Sequence, residues 1–133
     1  MPRWVMTWER AWVRSTRAHN TVEAGGADQC EFFAAFRVGR RARPRDVVAR
    51  VTDDSLHLSG WHDGYQRLAG RPVHHREIEL VSSGALAVWD TVESGVPQAA
   101  VSRVRFPPGA RVRLEGATAA AIEGEGVSLA LHA

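Results

Sequence analysis

The sequence predicts an all-β fold, an antiparallel β-sandwich of about ten short strands with a short N-terminal helix or turn. Three observations predict it. β-Branched and aromatic runs recur from Asn20 to the end of the chain. Valine and leucine alternate with charged residues in several of them: Val112 and Leu114 interleave with Arg111, Arg113 and Glu115, and Val127, Leu129 and Leu131 keep the same period. Turn-forming clusters punctuate the runs at Asp53-Asp54, Ser82-Ser83-Gly84, Pro107-Pro108-Gly109 and Glu123-Gly124-Glu125-Gly126. A period of two sends one face of a strand to the core and the other to water, and short connections favour antiparallel neighbours.

Taken in order, Trp4, Trp8 and Trp12 are spaced to stack on one helical face beside Val5 and Val13. They predict a short helix or turn packing its stripe against the sheets, with an aromatic platform for a glycan as the alternative. Strands are expected near 20–24, 30–38, 46–52, 55–60, 72–80, 85–92, 99–106, 110–115, 117–122 and 126–132. No repeat, linker or low-complexity tract interrupts them, so residues 1–133 read as one domain, with 1–13 as a lead-in segment.

A chain of 133 residues is long enough for one sizeable core. All 17 basic residues are arginine, set against 15 acidic ones, for a net charge of +2. That mild excess suits an acidic glycan without requiring one. The lone Cys30 excludes an internal disulfide and a cysteine-built zinc site, and its apolar neighbours predict a buried, inert thiol. No stretch is long enough to span a membrane, and the start lacks a charged-then-apolar signal pattern, so export would be directed by sequence outside these residues. The densest basic run, Arg37 to Arg45, has neither aromatic interleaving nor a helix-turn-helix signature. It predicts a solvated loop, with contact to an anionic glycan as the alternative and no nucleic-acid partner.

The chemistry concentrates in Arg14 to Val22, read Arg-Ser-Thr-Arg-Ala-His-Asn-Thr-Val. A histidine-asparagine pair at the entrance to a β-branched strand is costly unless its polar groups have partners. His19 offers one ring nitrogen to a metal while the other donates to a supporting oxygen, a role Asn20 or Asp28 can fill. One imidazole is not a metal site, however, and on residue type alone His19 also reads as a structural histidine. Arg14 and Arg17 suit carboxylates or sulfates, since a guanidinium forks onto two oxygens, or else salt bridges to Glu9, Glu23 or Glu31. Asn20 is a candidate partner for a substrate carboxylate or a structural hydrogen-bonder. His62-Asp63-Gly64-Tyr65 collects an imidazole, a carboxylate and the only tyrosine. These groups suit proton transfer, or a tight turn whose phenol ties down a corner. His74 and His75 fall on opposite faces of a strand and read as solvated or core-edge residues.

Together the Arg14 to Phe36 segment, the His62 to Leu68 turn and the Val73 to Leu80 strand resemble the carboxyl-terminal β-sandwich of the heparinase II/III-like polysaccharide lyases. One departure is Ala24-Gly25-Gly26, where such proteins usually carry Asp-Gly. The resemblance implies a larger lyase acting by β-elimination on uronic-acid-containing polysaccharide of the heparin, heparan sulfate or alginate type. In such a parent an amino-terminal helical toroid would supply the asparagine, tyrosine and histidine of catalysis. Upstream strands would add a histidine and an aspartate to a zinc or calcium site that His19 completes. The resemblance therefore implies metal ligation for His19, substrate contact for Arg14, Arg17 and Asn20, and a place along the cleft for His62 and Tyr65. It implies no catalytic residue within the 133 positions, no metal in the isolated chain, and an inactive chain on its own. A full-length parent is expected in the periplasm or outside the cell. The alternative is a noncatalytic module that binds an anionic glycan or another subunit.

Overall fold

The computed structural model describes residues 8–34, 36–124 and 126–133, so Trp4, Val5, Glu125 and the Val127 side chain lie outside the description. Among the described residues a helix α1 (Trp8–Arg14) and a 3₁₀ turn (Thr16–Ala18) precede eleven strands: β1 (Val22–Ala24), β2 (Phe32–Phe33), β3 (Arg37–Val38), β4 (Pro44–Val51), β5 (Ser55–His62), β6 (Val73–Val81), β7 (Leu86–Glu93), β8 (Ala100–Ser102), β9 (Arg111–Leu114), β10 (Ala119–Gly124) and β11 (Val127–His132). Every pairing among them is antiparallel. The all-β architecture with a short N-terminal helix is as expected.

The largest unit is the β4-β5-β6-β7 meander. Its register sorts the side chains into rows. On one face lie His62, His74 and Val92, then Gly60, Arg76 and Asp90, then Leu58, Ile78 and Val88, then Leu56, Leu80 and Leu86. The opposite face carries Trp61, His75 and Thr91, then Ser59, Glu77 and Trp89. Alternation therefore gives an inward face that is aliphatic at one end and polar at the other. The β1-β8 ribbon lies over the polar end, linked by Ser102 Oγ donating to Asp90 and by the Arg76 guanidinium donating to the Asn20 carbonyl. This gives the layering of a sandwich. At the aliphatic end Leu86 is still 61 % exposed. β9, β10 and β11 form a separate three-stranded sheet in which Ala120 and Ile122 are buried. The apolar row expected to face inward from the alternation stays open to solvent, since Val112, Leu114 and Leu129 are 51 %, 77 % and 52 % exposed and no element covers that face among the described residues.

Four expectations change. Trp8 is 76 % and Trp12 44 % exposed and α1 buries no residue, so the part of the tryptophan stripe within α1 does not pack against the sheets. The helix is instead held at its last turn: Arg14 donates to the carbonyls of Ala34 and Arg37 and covers the Phe32 ring, and the Arg105 guanidinium sits over Trp12. The strand expected over 30–38 is a tight hairpin, β2 and β3, because Ala34 takes a left-handed conformation (φ 52°) that reverses the chain. A side chain at Gly39 would collide with the Phe33 ring, so glycine there lets the hairpin close. The strand expected over 99–106 keeps its order only over Ala100–Ser102, where β1 is there to pair with it. Cys30 is partly rather than fully buried, and its Sγ accepts the Ala42 N–H.

Candidate functional site

The Arg14 to Asn20 segment is pinned to the sheets by the residues expected to bind substrate. Asp28 Oδ1 accepts the Thr16 N–H at 2.6 Å and Thr16 Oγ1 accepts the Gln29 N–H, which fixes the 3₁₀ turn. Arg17 pairs with Glu23 at 2.6 Å. That bond, with Arg17 and Arg103 on either side of it, holds the buried Glu23 carboxyl below its ordinary range. Asn20 Oδ1 accepts the Arg105 N–H, and the Arg105 guanidinium reaches the Arg17 carbonyl. Arg14, Arg17 and Asn20 thus all have protein partners.

His19 is exposed, and its Nε2 lies 3.0 Å from the Val13 carbonyl. A carbonyl only accepts, so Nε2 carries the proton and the lone pair of the neutral ring sits on Nδ1. That is the tautomer of a metal-ligating histidine oriented by a backbone oxygen. It is a single donor: among the described residues no three His, Cys, Asp or Glu side chains are grouped to hold a metal. Asp28 is engaged with Thr16 and lends His19 no support.

The closest assembly of ionisable groups is on the polar end of the inward face. The Gly64 N–H donates to His62 Nδ1, which puts the His62 proton on Nε2. His62 Nε2 is 3.2 Å from His74 Nδ1, and His74 Nε2 is 2.7 Å from Asp90 Oδ1. The whole chain therefore has one sense, from Gly64 through His62 and His74 to Asp90, with both rings neutral. Arg76 forks onto both Asp90 oxygens at 2.7 and 2.8 Å, and Ser102 fills the last acceptor site at 3.0 Å. Each carboxylate oxygen accepts two hydrogen bonds, so Asp90 is saturated.

Burial lowers both histidines, His62 to about 4, where the His74 ring adds to the effect. His74 stays lowered although the Asp90 bond opposes it. Burial alone would raise Asp90. The hydrogen bonds from Arg76 and His74, with the Arg76 charge and Ser102, outweigh burial and bring it down to about 2. A cleft of about 310 Å³ opens over His62, His74 and Arg76, with Thr21 and Gln29 on its rim. His62 lines it. Tyr65 does not: its ring is fully buried and its hydroxyl donates to the Val22 carbonyl at 2.6 Å.

His74 and His75 do lie on opposite faces, but His74 is 3 % exposed and belongs to the core rather than its edge. Its role, with that of Arg76 and Asp90, was not apparent from residue types. One signal was available: Asp90 occupies an inward position of the series Leu86, Val88, Asp90 and Val92, and a carboxylate at such a position needs partners.

The layered antiparallel sheets, a histidine segment laid across them and a saturated histidine-aspartate network define a β-sandwich domain with a cleft over that network. The chain belongs to the family described as heparinase II/III-like, C-terminal, whose model matches residues 2–132. That membership places it among polysaccharide lyases of the heparinase II/III type. No curated protein and no solved structure matches the chain.

Proposed function

We propose that this domain is the sandwich portion of a lyase that cleaves uronic-acid-containing anionic polysaccharide, of the heparin, heparan sulfate or alginate type, by β-elimination. The observation that carries the reading is the family match over almost the whole chain. In the reaction a base removes the C5 proton of the uronic acid and an acid protonates the departing O4. Tyr65 is an unsuitable base, because its buried hydroxyl is committed to Val22 and burial raises its pKa. His62 and His74 have their ring nitrogens engaged with Gly64, each other and Asp90. The family resemblance assigns the base and acid instead to a helical toroid outside these residues. The open aliphatic end of the β4–β7 sheet is consistent with a larger parent, which would act in the periplasm or outside the cell.

The expected result is that the isolated chain releases no unsaturated uronide from heparin, heparan sulfate or alginate. Ultraviolet absorbance of the product is the measurement, and its appearance would return His62 to the list of catalytic candidates. A noncatalytic anionic-glycan-binding or interaction module is the second reading, favoured by the exposed arginines of the 40–45 run. A parent protein that binds these polysaccharides without forming product would select it.

His19 Nδ1 is the ligand that the resemblance assigns to a zinc or calcium ion, which would supply positive charge to the cleft of the parent. A single imidazole binds such an ion poorly, so the isolated chain should hold almost none. The full-length parent should hold about one equivalent, and His19→Ala should remove it. Equal metal content in parent and variant would make His19 a structural histidine.

A further inference from the structure

The basic run is solvated and irregular over residues 39–43, as the sequence reads it, and it lines an open cleft of about 890 Å³ together with residues from the loop after β5. Its wall holds Arg40, Arg41, Arg43, Arg45 and Arg71 against two carboxylates, Glu31 and Asp63. Both carboxylates are engaged: Asp63 with Arg45 at 2.9 Å, and Glu31 with Arg40 at 3.9 Å and Arg67 at 3.6 Å. Arg41, Arg43 and Arg71 have no side-chain partner among the described residues, and all three are exposed. The cleft therefore carries three uncompensated guanidinium groups.

Arg71 adds an independent observation. Its backbone is in the left-handed region (φ 48°), unfavourable for a residue with a side chain, between Gly70 and the fully buried Pro72. The fold accepts that conformation at the position that places an arginine on the cleft wall, and such outliers cluster at binding sites.

We infer that this cleft is an anion-binding groove for an acidic oligosaccharide, separate from the His19 segment, with which it shares no lining residue. Guanidinium groups fork onto sulfate and carboxylate oxygens, and several spread along an open groove suit a chain with regularly spaced charges. The wall has no aromatic side chain on which bases would stack, which disfavours single-stranded nucleic acid. The choice of a glycan rests on the polysaccharide-lyase reading given above.

The experiment is equilibrium binding of the full chain to a sulfated heparin oligosaccharide and to an unsulfated polyuronate, at low and moderate salt. The test variant combines Arg41→Ser, Arg43→Ser and Arg71→Gly, the last because glycine adopts a positive φ without strain. A control variant removes the same charge elsewhere through Arg50→Ser, Arg111→Ser and Arg113→Ser. Binding should fall about tenfold or more in the test variant with a flatter salt dependence, and about threefold or less in the control. Loss for heparin alone assigns the groove to sulfate, and loss for both glycans assigns it to any acidic sugar. Should the triple variant fail to fold, the Arg41→Ser, Arg43→Ser pair must give a smaller loss in the same direction. Equal loss in test and control, no loss, no binding by the unaltered chain, or tighter binding of duplex DNA at the same salt overturns the inference. None of these outcomes bears on elimination, which is judged by product absorbance in the parent.

Discussion

Asp90→Ala is expected to destabilise the domain by roughly 3–5 kcal/mol, the cost of breaking a buried ion pair from one side. The side chain is 16 % exposed and accepts from His74, Arg76 and Ser102, so its removal strands a cation and a buried imidazole N–H together. Asp90→Asn retains an oxygen for His74 but not the charge that holds Arg76, and should cost less, about 1–3 kcal/mol. Denaturant unfolding of the three proteins is the measurement. A loss below about 1 kcal/mol for the alanine variant would mean that the network contributes little.

The same network predicts an acid response in two stages. His62 titrates at about 4 in the folded chain against an ordinary 6.5, so between those values the unfolded chain binds protons that the folded one refuses. The stability this reflects is fully present above 6.5 and is lost as pH falls towards 4. After allowing for the solvent that reaches the ring, it amounts to roughly 1–2 kcal/mol. Asp90, at about 2 against 3.8, adds a contribution that is intact above 3.8 and disappears as pH falls towards 2. His62→Gln should flatten the first stage and leave the second. Identical pH profiles for the two proteins would reject the assignment.

Tyr65→Ala is expected to cost about 3–5 kcal/mol, since it empties the space of a fully buried aromatic ring. Tyr65→Phe keeps the ring and removes only the hydroxyl that meets the Val22 carbonyl, so roughly 1–2 kcal/mol should follow. The bond joins the loop after β5 to β1, and β1 is the strand through which the second layer attaches. Neighbouring Gly64 shows how tight that corner is: a Cβ there would lie 2.6 Å from the Gln29 carbonyl. If phenylalanine proved as damaging as alanine, the bond rather than the packing would be what secures the corner. Melting temperatures of the two variants decide the matter.

Much of the fold was legible because its signals are local. Period-two alternation and turn residues placed β5, β6, β7, β9 and β10 close to where they lie, since strand runs and the turns between them are signalled by neighbouring residues, although in β9 the apolar row is exposed. The family was legible for the same reason, in the contiguous Arg14 to Val22 motif and the His62 turn. The exposed tryptophans of α1 and the hairpin at Ala34 were not. A helical stripe reveals that a face is apolar without revealing whether anything lies opposite, and a left-handed alanine has no signature in residue type.

The sequence by itself thus determined the class of the domain, the order of its strands and the segment that bears His19. Only the tertiary structure decided which polar groups meet. Cross-strand register brought Arg76 beside Asp90 and His62 beside His74, residues 14 and 12 positions apart that no spacing rule connects. It also drew Arg71 to the arginines of the 40–45 run. Strand pairing is a long-range choice made by the whole chain, and burial then makes every polar group on the chosen face find a partner.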